Sequence, residues 1–140
     1  MVMKELSIEK QELLFKDLCS RLPYGVICKC YHTEYNEWDG KPFIATYDSP
    51  VDSINSNGVV IADSFDFEID EVRPYLRPMS SMTEEERKEY NDIVKNIIDF
   101  INCPKSDDIC LPITLIDWLN KHHFDYRGLI GKGLAIDMYK

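Results

Sequence analysis

The fold is decided by residues 26–71, which read VICKCYHTEYNEWDGKPFIATYDSPVDSINSNGVVIADSFDFEIDE. Two dipeptides in this stretch, Asp39-Gly40 and Asn57-Gly58, are typical of the tight turns in β-hairpins, because such turns need residues that tolerate positive φ. Polar and apolar side chains alternate around these dipeptides, as in antiparallel strands with one solvent-facing side. We therefore expect an antiparallel β unit over residues 26–71.

The last strand of this unit is predicted to separate apolar from acidic side chains. Because successive strand residues point to opposite sides, the apolar side would carry Val59, Ile61, Phe65, Phe67 and Ile69. The solvent-facing side would carry Asp66, Glu68 and Asp70. Asp63 falls on the apolar side, which predicts a bulge or break near Asp63-Ser64. Beyond the unit, Pro74 and Pro78 favour an extended or 3₁₀ crossover over residues 72–78 rather than a regular strand.

Three helices are predicted outside the β unit. The first covers residues 7–22, with Ser7 as its N-cap. The second covers residues 83–102 and begins with a capping box formed by Thr83 and Glu86. The third covers residues 112–123, with Pro112 at its start, and an irregular tail follows over residues 124–140. Together these elements predict a single α+β domain in which an N-terminal helix and two C-terminal helices pack on a three- to five-stranded antiparallel sheet.

Composition indicates a globular protein of the cytoplasm. The chain is 44% hydrophobic and 29% charged, which is typical of folded domains. No apolar run approaches the roughly eighteen residues that cross a bilayer, and Met1 to Leu6 lack the apolar core of a secretory signal. The five cysteines are therefore expected to be free thiols in a reducing compartment. A polar loop is expected over residues 105–110.

The net charge of −9 is concentrated in the β unit. Residues 34–71 hold ten acidic side chains and one basic side chain, Lys41, whereas the rest of the chain is close to neutral. This balance argues against non-specific nucleic-acid binding, which needs clustered lysine and arginine. We expect a non-catalytic module that docks a protein, most simply a basic one, through Asp66, Glu68 and Asp70. A surface that only keeps the protein soluble is the alternative.

Two longer strings resemble known proteins when they are taken together. They are Pro74 to Glu86, PYLRPMSSMTEEE, and Asp117 to Ile130, DWLNKHHFDYRGLI. Both resemble a group of small uncharacterised proteins from gut bacteria and their phages or mobile elements. The resemblance implies a mobile-element or accessory setting and implies no activity. In that setting the acidic side could also be a DNA mimic, since outward residues of a strand lie about 6.6 Å apart, close to the phosphate spacing of one DNA strand.

The architecture carries a second resemblance. Strands joined by hairpins and closed by Leu76-Arg77-Pro78 resemble a small SH3-like or Tudor-like barrel. The resemblance implies that the sheet forms such a barrel instead of an open sheet. It does not decide the function, because small barrels serve many different ligands.

The densest polar cluster gives an alternative site for a small-ligand binder or an enzyme. It consists of His122, His123, Asp125, Tyr126 and Arg127. Either imidazole could act as a general base, Asp125 could orient it, and Arg127 could bind an anion. The same residues also suit a structural role, in which the histidines cap the C-terminus of a helix and Asp125 pairs with Arg127.

A metal site is a further alternative on the first strand, and no cofactor is expected otherwise. Cys28, Cys30 and His32 lie at alternate positions and therefore on one side of that strand. Thiolates and imidazoles bind zinc, but the spacing is not that of a zinc knuckle. Buried free thiols are the simpler interpretation.

Overall fold

The computed structural model describes residues 5–102 and 111–140. The helices are α1 (Ile8–Arg21), α2 (Glu84–Asn102) and α3 (Leu111–Lys121). The strands are β1 (Ile27–Tyr35), β2 (Pro42–Ile54), β3 (Val60–Ala62), β4 (Phe65–Phe67), β5 (Val72–Leu76) and β6 (Ile136–Asp137). The predicted α+β class is confirmed. In the described part of the chain the sheet has six strands, one more than the largest number predicted, in the order β4-β3-β2-β1-β5-β6.

The two turns predicted from Asp39-Gly40 and Asn57-Gly58 both join adjacent antiparallel strands. β1 pairs with β2 from Ile27 opposite Pro50 to Tyr35 opposite Pro42. Gly40 and Gly58 have φ values of 69° and 80°, which explains why glycine stands at both positions. The sheet is mixed rather than purely antiparallel, because β6 runs parallel to β5.

The bulge expected at Asp63-Ser64 is instead a third hairpin turn. Asp63 and Ser64 have φ values of 50° and 65°, and the residues on either side of them, Ala62 and Phe65, are paired. Positive φ at both central residues matches the twist of the flanking strands. The turn places Val60, Ala62 and Phe67 in the core. The predicted apolar side is therefore wrong at Val59 and Ile61, which are partly exposed. Phe65 shares the side of Phe67 but is largely exposed.

The acidic residues predicted to alternate along the last strand do not do so, because β4 ends at Phe67. Glu68 is the N-cap of a 3₁₀ turn formed by Ile69–Glu71. Its backbone N–H donates to Glu71 Oε1 at 2.9 Å, and the two glutamates form a capping box. This local pairing ends the strand, so that only Asp66 lies on β4, and Asp70 lies in the 3₁₀ turn.

The crossover predicted over residues 72–78 begins with a regular strand, β5, in the interior of the sheet. Pro74 lies opposite Cys28 of β1, although proline cannot donate a backbone hydrogen bond. β6 pairs with Tyr75 and Leu76, so one side of Pro74 faces no ladder partner among the described strands. Proline is tolerated in a sheet under that condition.

The core lies between α1 and the concave side of the sheet. Leu14 and Leu18 of α1 are fully buried together with Val26, Cys28 and Val72. Ser7 caps α1 by accepting a hydrogen bond from Lys10 N at 3.3 Å. Each fully buried leucine or valine contributes roughly 1.5–3 kcal/mol of hydrophobic free energy, so this apolar layer fixes the side of α1 that faces the sheet.

α2 and α3 pack mainly on each other. Thr83 and Glu86 form the predicted capping box at the start of α2, with Glu86 N donating to Thr83 Oγ1 at 3.1 Å. The rings of Tyr90 and Trp118 lie 6.1 Å apart across the helix pair. Within α2, all of which is described, no residue is fully buried. The tail from residue 124 is irregular apart from β6, and the loop predicted over residues 105–110 lies outside the described residues.

No helix in the described ranges is long and apolar enough to span a bilayer.

Candidate functional site

A groove of about 180 Å³ opens between the β1–β2 hairpin and the β3–β4 hairpin. Its lining comes from four strands and the third turn: Cys30, His32, Glu34, Tyr47, Ser49, Ala62, Asp63, Phe65, Asp66 and Phe67. It forms because the sheet curls until β4 lies against β1. The rings of His32 and Phe67 meet edge to face across the opening, with their centroids 6.3 Å apart.

Strand alternation positions the side chains that line the groove from the β1–β2 hairpin. Cys30, His32 and Glu34 occupy every second position of β1 and so share one side. Tyr47 of β2 lies opposite Cys30, and its hydroxyl donates a hydrogen bond to Glu34 Oε1. That bond raises the pKa of Tyr47, with burial and the charge of Glu34 adding to the effect. The tyrosine therefore stays a neutral donor to the side chain of Glu34.

The groove combines apolar walls with an acidic rim. Phe65, Phe67 and Ala62 line it from the covering hairpin, and the rim acids are Glu34, Asp63 and Asp66. Among the described residues that line the groove, none is a lysine or an arginine. A cation is therefore favoured here and an anion is disfavoured, because opposite charges attract most strongly where apolar walls reduce solvent screening.

The three acidic residues singled out in the sequence lie in different environments. Asp66 is exposed and lines the groove. Glu68 is exposed but engaged in the capping box with Glu71. Asp70 is half-buried, and its backbone carbonyl accepts a hydrogen bond from Arg73 Nη1 at 2.8 Å. Of the three, only Asp66 belongs to the groove lining, and alternation turns its side chain to the opposite side of β4 from Phe65 and Phe67. The three residues do not form a row on one strand.

Asp48 of β2 points away from the groove, because it alternates with Tyr47 along the strand. Asp48 Oδ1 accepts a hydrogen bond from the Tyr75 hydroxyl at 2.6 Å, which raises the pKa of Tyr75 to about 12. Asp48 and Tyr75 line a separate hollow of about 260 Å³ together with His123. The negative charge of residues 34–71 is thus divided between the two sides of the sheet.

The thiols of the proposed metal alternative are core residues. Cys28 and Cys30 are both fully buried. Burial raises the pKa of Cys28 well above its usual range and that of Cys30 to about 11. Metal ligation needs the thiolate, which this environment disfavours. No group of three histidine, cysteine, aspartate or glutamate side chains that could hold a metal ion lies within residues 5–102 and 111–140.

The polar cluster after α3 ties the C-terminal tail to the rest of the molecule. Asp125 accepts hydrogen bonds from the backbone N–H groups of Leu129 and Ile130, at 2.7 and 2.9 Å. Arg127 Nη1 instead reaches Asp17 Oδ1 of α1 at 2.9 Å. The ion pair expected between Asp125 and Arg127 is therefore wrong. The Tyr126 hydroxyl donates to Asn120 Oδ1 at 2.8 Å.

The two histidines of this cluster face different surroundings. His122 Nδ1 lies 3.3 Å from Glu86 Oε2, and its ring lies 4.5 Å from that of Trp118. His123 lies two residues after the end of α3 and has a left-handed backbone conformation, with a φ of 63°. Its pKa is lowered by burial, with Arg21, Arg77 and His122 adding to the effect. His123 alone of the cluster lines the hollow beside Asp48 and Tyr75.

Sequence reasoning missed the groove because it missed the third turn. The sequence singles out neither Tyr47 nor Phe65 as a binding residue, and both line the groove. The signal was the Asp63-Ser64 pair between two apolar runs, since aspartate tolerates positive φ. Without glycine the signal is weak, and the curl that brings β4 onto β1 is a tertiary property.

Comparison of the chain with protein-family models, with curated proteins and with solved structures finds no match.

Proposed function

We propose that this protein is a non-catalytic accessory protein of the cytoplasm that binds a basic partner protein through its acidic β unit. The observation that carries the proposal is the acid-rimmed groove between the two hairpins. Its rim holds three carboxylate residues and its described lining holds no lysine or arginine. Glu68 and Asp70 follow Asp66 in the chain and add to the negative charge of the β unit. Concentrated charge of one sign speeds association with a partner of opposite charge.

The tip of the β1–β2 hairpin extends this surface. Trp38 is 95% exposed at the tip, and Glu37 and Asp39 flank it in the sequence. Tyr35, on the adjacent end of β1, is also largely exposed. Aromatic side chains are enriched among the residues that dominate protein interfaces. An exposed tryptophan beside carboxylates supports a protein partner over a surface that only confers solubility.

The strand meander supports the barrel-like interpretation of the β unit. Five antiparallel strands follow the order β4-β3-β2-β1-β5, with a 3₁₀ turn before the last of them. The mobile-element setting and the DNA-mimic alternative rest on the sequence resemblance and remain part of the proposal.

The experiment is affinity capture from an extract of the source organism, at low and high salt, followed by quantitative mass spectrometry. The test variant is Asp66→Lys/Glu68→Gln/Asp70→Asn, in which glutamine keeps hydrogen-bonding capacity at the cap. A control variant makes the same change in net charge at exposed positions of α2: Glu85→Gln/Asp92→Lys/Asp99→Asn.

We expect basic proteins that bind the wild type and the control at low salt, and that are lost with the test variant and at high salt. Retention of every captured protein by the test variant would contradict the proposal. Displacement of the captured protein by duplex DNA would identify the DNA-mimic form of the same function.

A second candidate function is small-ligand binding at the hollow lined by Asp48, Tyr75 and His123. The hollow measures about 260 Å³, and His123 occupies a backbone conformation that disfavours most side chains. A ligand there should shift the NMR signals of Gly25 and Tyr75, and His123→Asn should remove the effect. The other members of the cluster, from Asp125 to Arg127, hold the tail in place.

A further inference from the structure

We infer that the groove between the hairpins receives an arginine side chain from a basic segment of the partner. The inference deepens the proposed function, because it rests on a basic protein partner and names the group that enters the site. It follows from an uncovered aromatic ring, from the position of the carboxylates, and from the shape of the opening.

Phe65 is an aromatic residue at a core-facing position that nothing in the described structure covers. It is paired with Ala62, and Val60 is paired with Phe67, so all four side chains point to the same side of the hairpin. Val60 and Ala62 are fully buried and Phe67 is 4% exposed, whereas Phe65 is 65% exposed. The row of core residues therefore ends in the exposed ring of Phe65, which lines the groove.

Two acidic residues, Glu34 and Asp63, line the groove together with Phe65. Glu34 lies on β1 in the groove lining and is fixed by the hydrogen bond from the Tyr47 hydroxyl. Asp63 lies in the turn directly before Phe65 and is exposed. A ligand with an apolar stem and a cationic head matches this arrangement, because the stem can pack on the rings while the head reaches the carboxylates.

Arginine fits better than lysine on two grounds. Its planar guanidinium stacks on aromatic faces, and its fork of N–H donors matches a carboxylate. Aromatic rings of His32, Phe65 and Phe67 line the groove, and those of His32 and Phe67 meet edge to face across it. A flat head group suits such an opening, and the weaker hydration of guanidinium lowers the cost of entry.

The test uses a defined probe, the peptide acetyl-Gly-Gly-Arg-Gly-Gly-amide, titrated into the ¹⁵N-labelled protein by NMR. The matched control peptide carries citrulline, which keeps the shape of arginine and removes its charge. We expect the arginine peptide to shift the signals of Glu34, Tyr47 and Phe65, and the citrulline peptide to bind about two- to fivefold more weakly, as for an exposed cation–π contact. A lysine peptide should lie between them.

Three variants locate the site without disturbing the fold. Phe65→Ala removes an exposed ring, and Asp63→Asn keeps a residue that tolerates positive φ. Each should weaken binding of the arginine peptide about two- to fivefold. Asp52→Asn removes an exposed acid of β2 outside the groove lining and should leave binding unchanged. Equal binding of the citrulline peptide, signal shifts outside the groove, or no effect of Phe65→Ala would each overturn the inference.

The failure of this inference differs from the failure of the proposed function. One outcome is a captured partner that the Asp66/Glu68/Asp70 variant loses but that Phe65→Ala and Asp63→Asn retain. This outcome supports the proposed function and contradicts the arginine site. Retention of every partner by all the variants would contradict both the proposed function and the arginine site.

Discussion

Asp17 links helix α1 to the C-terminal tail. It is fully buried in α1. Its Oδ2 accepts from Arg21 Nε at 2.8 Å, and its Oδ1 accepts from Arg127 Nη1 at 2.9 Å. Arg21 is also fully buried and donates to the backbone carbonyl of Phe124 at 2.7 Å. A carboxylate that serves two guanidinium groups in the interior holds α1 against the tail, and its loss leaves buried positive charge unpaired.

We predict that Asp17→Asn lowers the free energy of unfolding by about 3 kcal/mol, the usual cost of removing one partner from a buried ion pair. Urea denaturation followed by circular dichroism measures the change. Glu12→Gln, an exposed acid of the same helix, serves as the control and should change stability by less than about 0.5 kcal/mol. A loss below about 1 kcal/mol for Asp17→Asn would show that the network does not hold the tail.

The pairing of Arg77 with Glu86 makes stability depend on acid pH. Arg77 Nη1 and Nη2 donate to the two oxygens of Glu86 at 2.7 and 2.6 Å. The hydrogen bond with Arg77 lowers the pKa of Glu86 to about 2, below the value near 4.3 of an unfolded glutamate. A carboxylate with a lowered folded pKa stabilises the fold above the unfolded value. That contribution is lost as the pH falls from about 4.3 toward 2.

Arg77→Met should therefore destabilise the protein by roughly 2 kcal/mol at neutral pH, since charge-assisted hydrogen bonds are removed. The difference from the wild type should shrink as the pH falls below about 4. An NMR titration should also show the pKa of Glu86 rising toward its ordinary value in the variant. The Arg77 guanidinium also lies over the Phe124 ring, 4.3 Å from its centroid. A difference that stays constant down to pH about 2 would mean that Arg77 acts only through this packing.

At the scale of elements, the Asp63-Ser64 turn sets the register of β4 and thereby opens the groove. Both of its residues have positive φ, a conformation that costs a residue other than glycine roughly 1–2 kcal/mol. The pairing of Ala62 with Phe65 depends on a turn of two residues. A longer or differently twisted turn would move Phe65 away from the groove.

We predict that Ser64→Gly raises the free energy of unfolding by roughly 0.5–1 kcal/mol, because glycine adopts positive φ without strain. Ser64→Val should lower it by at least about 1 kcal/mol, since a β-branched residue is poorly accommodated there. Thermal denaturation of the two variants measures both changes. Equal stabilities would contradict the positive-φ assignment of this turn.

The elements with local signals were the ones that could be predicted. Helix caps and turn glycines act on residues within a few positions of themselves. The structure places a helix start at Ser7 and at the Thr83–Glu86 capping box, and a turn at each of Gly40 and Gly58. The predictions that were wrong depended on distant partners. β5 forms around Pro74 because β1 lies beside it, and Arg127 binds Asp17 of α1 rather than the nearby Asp125. The groove was missed because it needs the curl of the whole sheet.

At the scale of the whole molecule, charge and exposed aromatic residues coincide in the β unit. The rest of the chain sums to zero net charge, whereas residues 34–71 carry the entire net charge of −9. The acid-rimmed groove, the exposed Phe65 and the hairpin tip with Trp38 lie in that same stretch. A basic partner would therefore meet both an attractive field and aromatic contact area.

The central claim is that the acidic β unit binds a basic partner protein. The most direct test compares capture by the wild type, the Asp66/Glu68/Asp70 variant and the charge-matched α2 control at low and high salt. If the acidic β unit is the binding surface, at least one basic protein binds the wild type and the α2 control equally at low salt. That protein is lost with the β-unit variant, and high salt releases it from the wild type. If the β-unit variant and the α2 control retain the same proteins at both salt concentrations, the acidic surface is not a binding site.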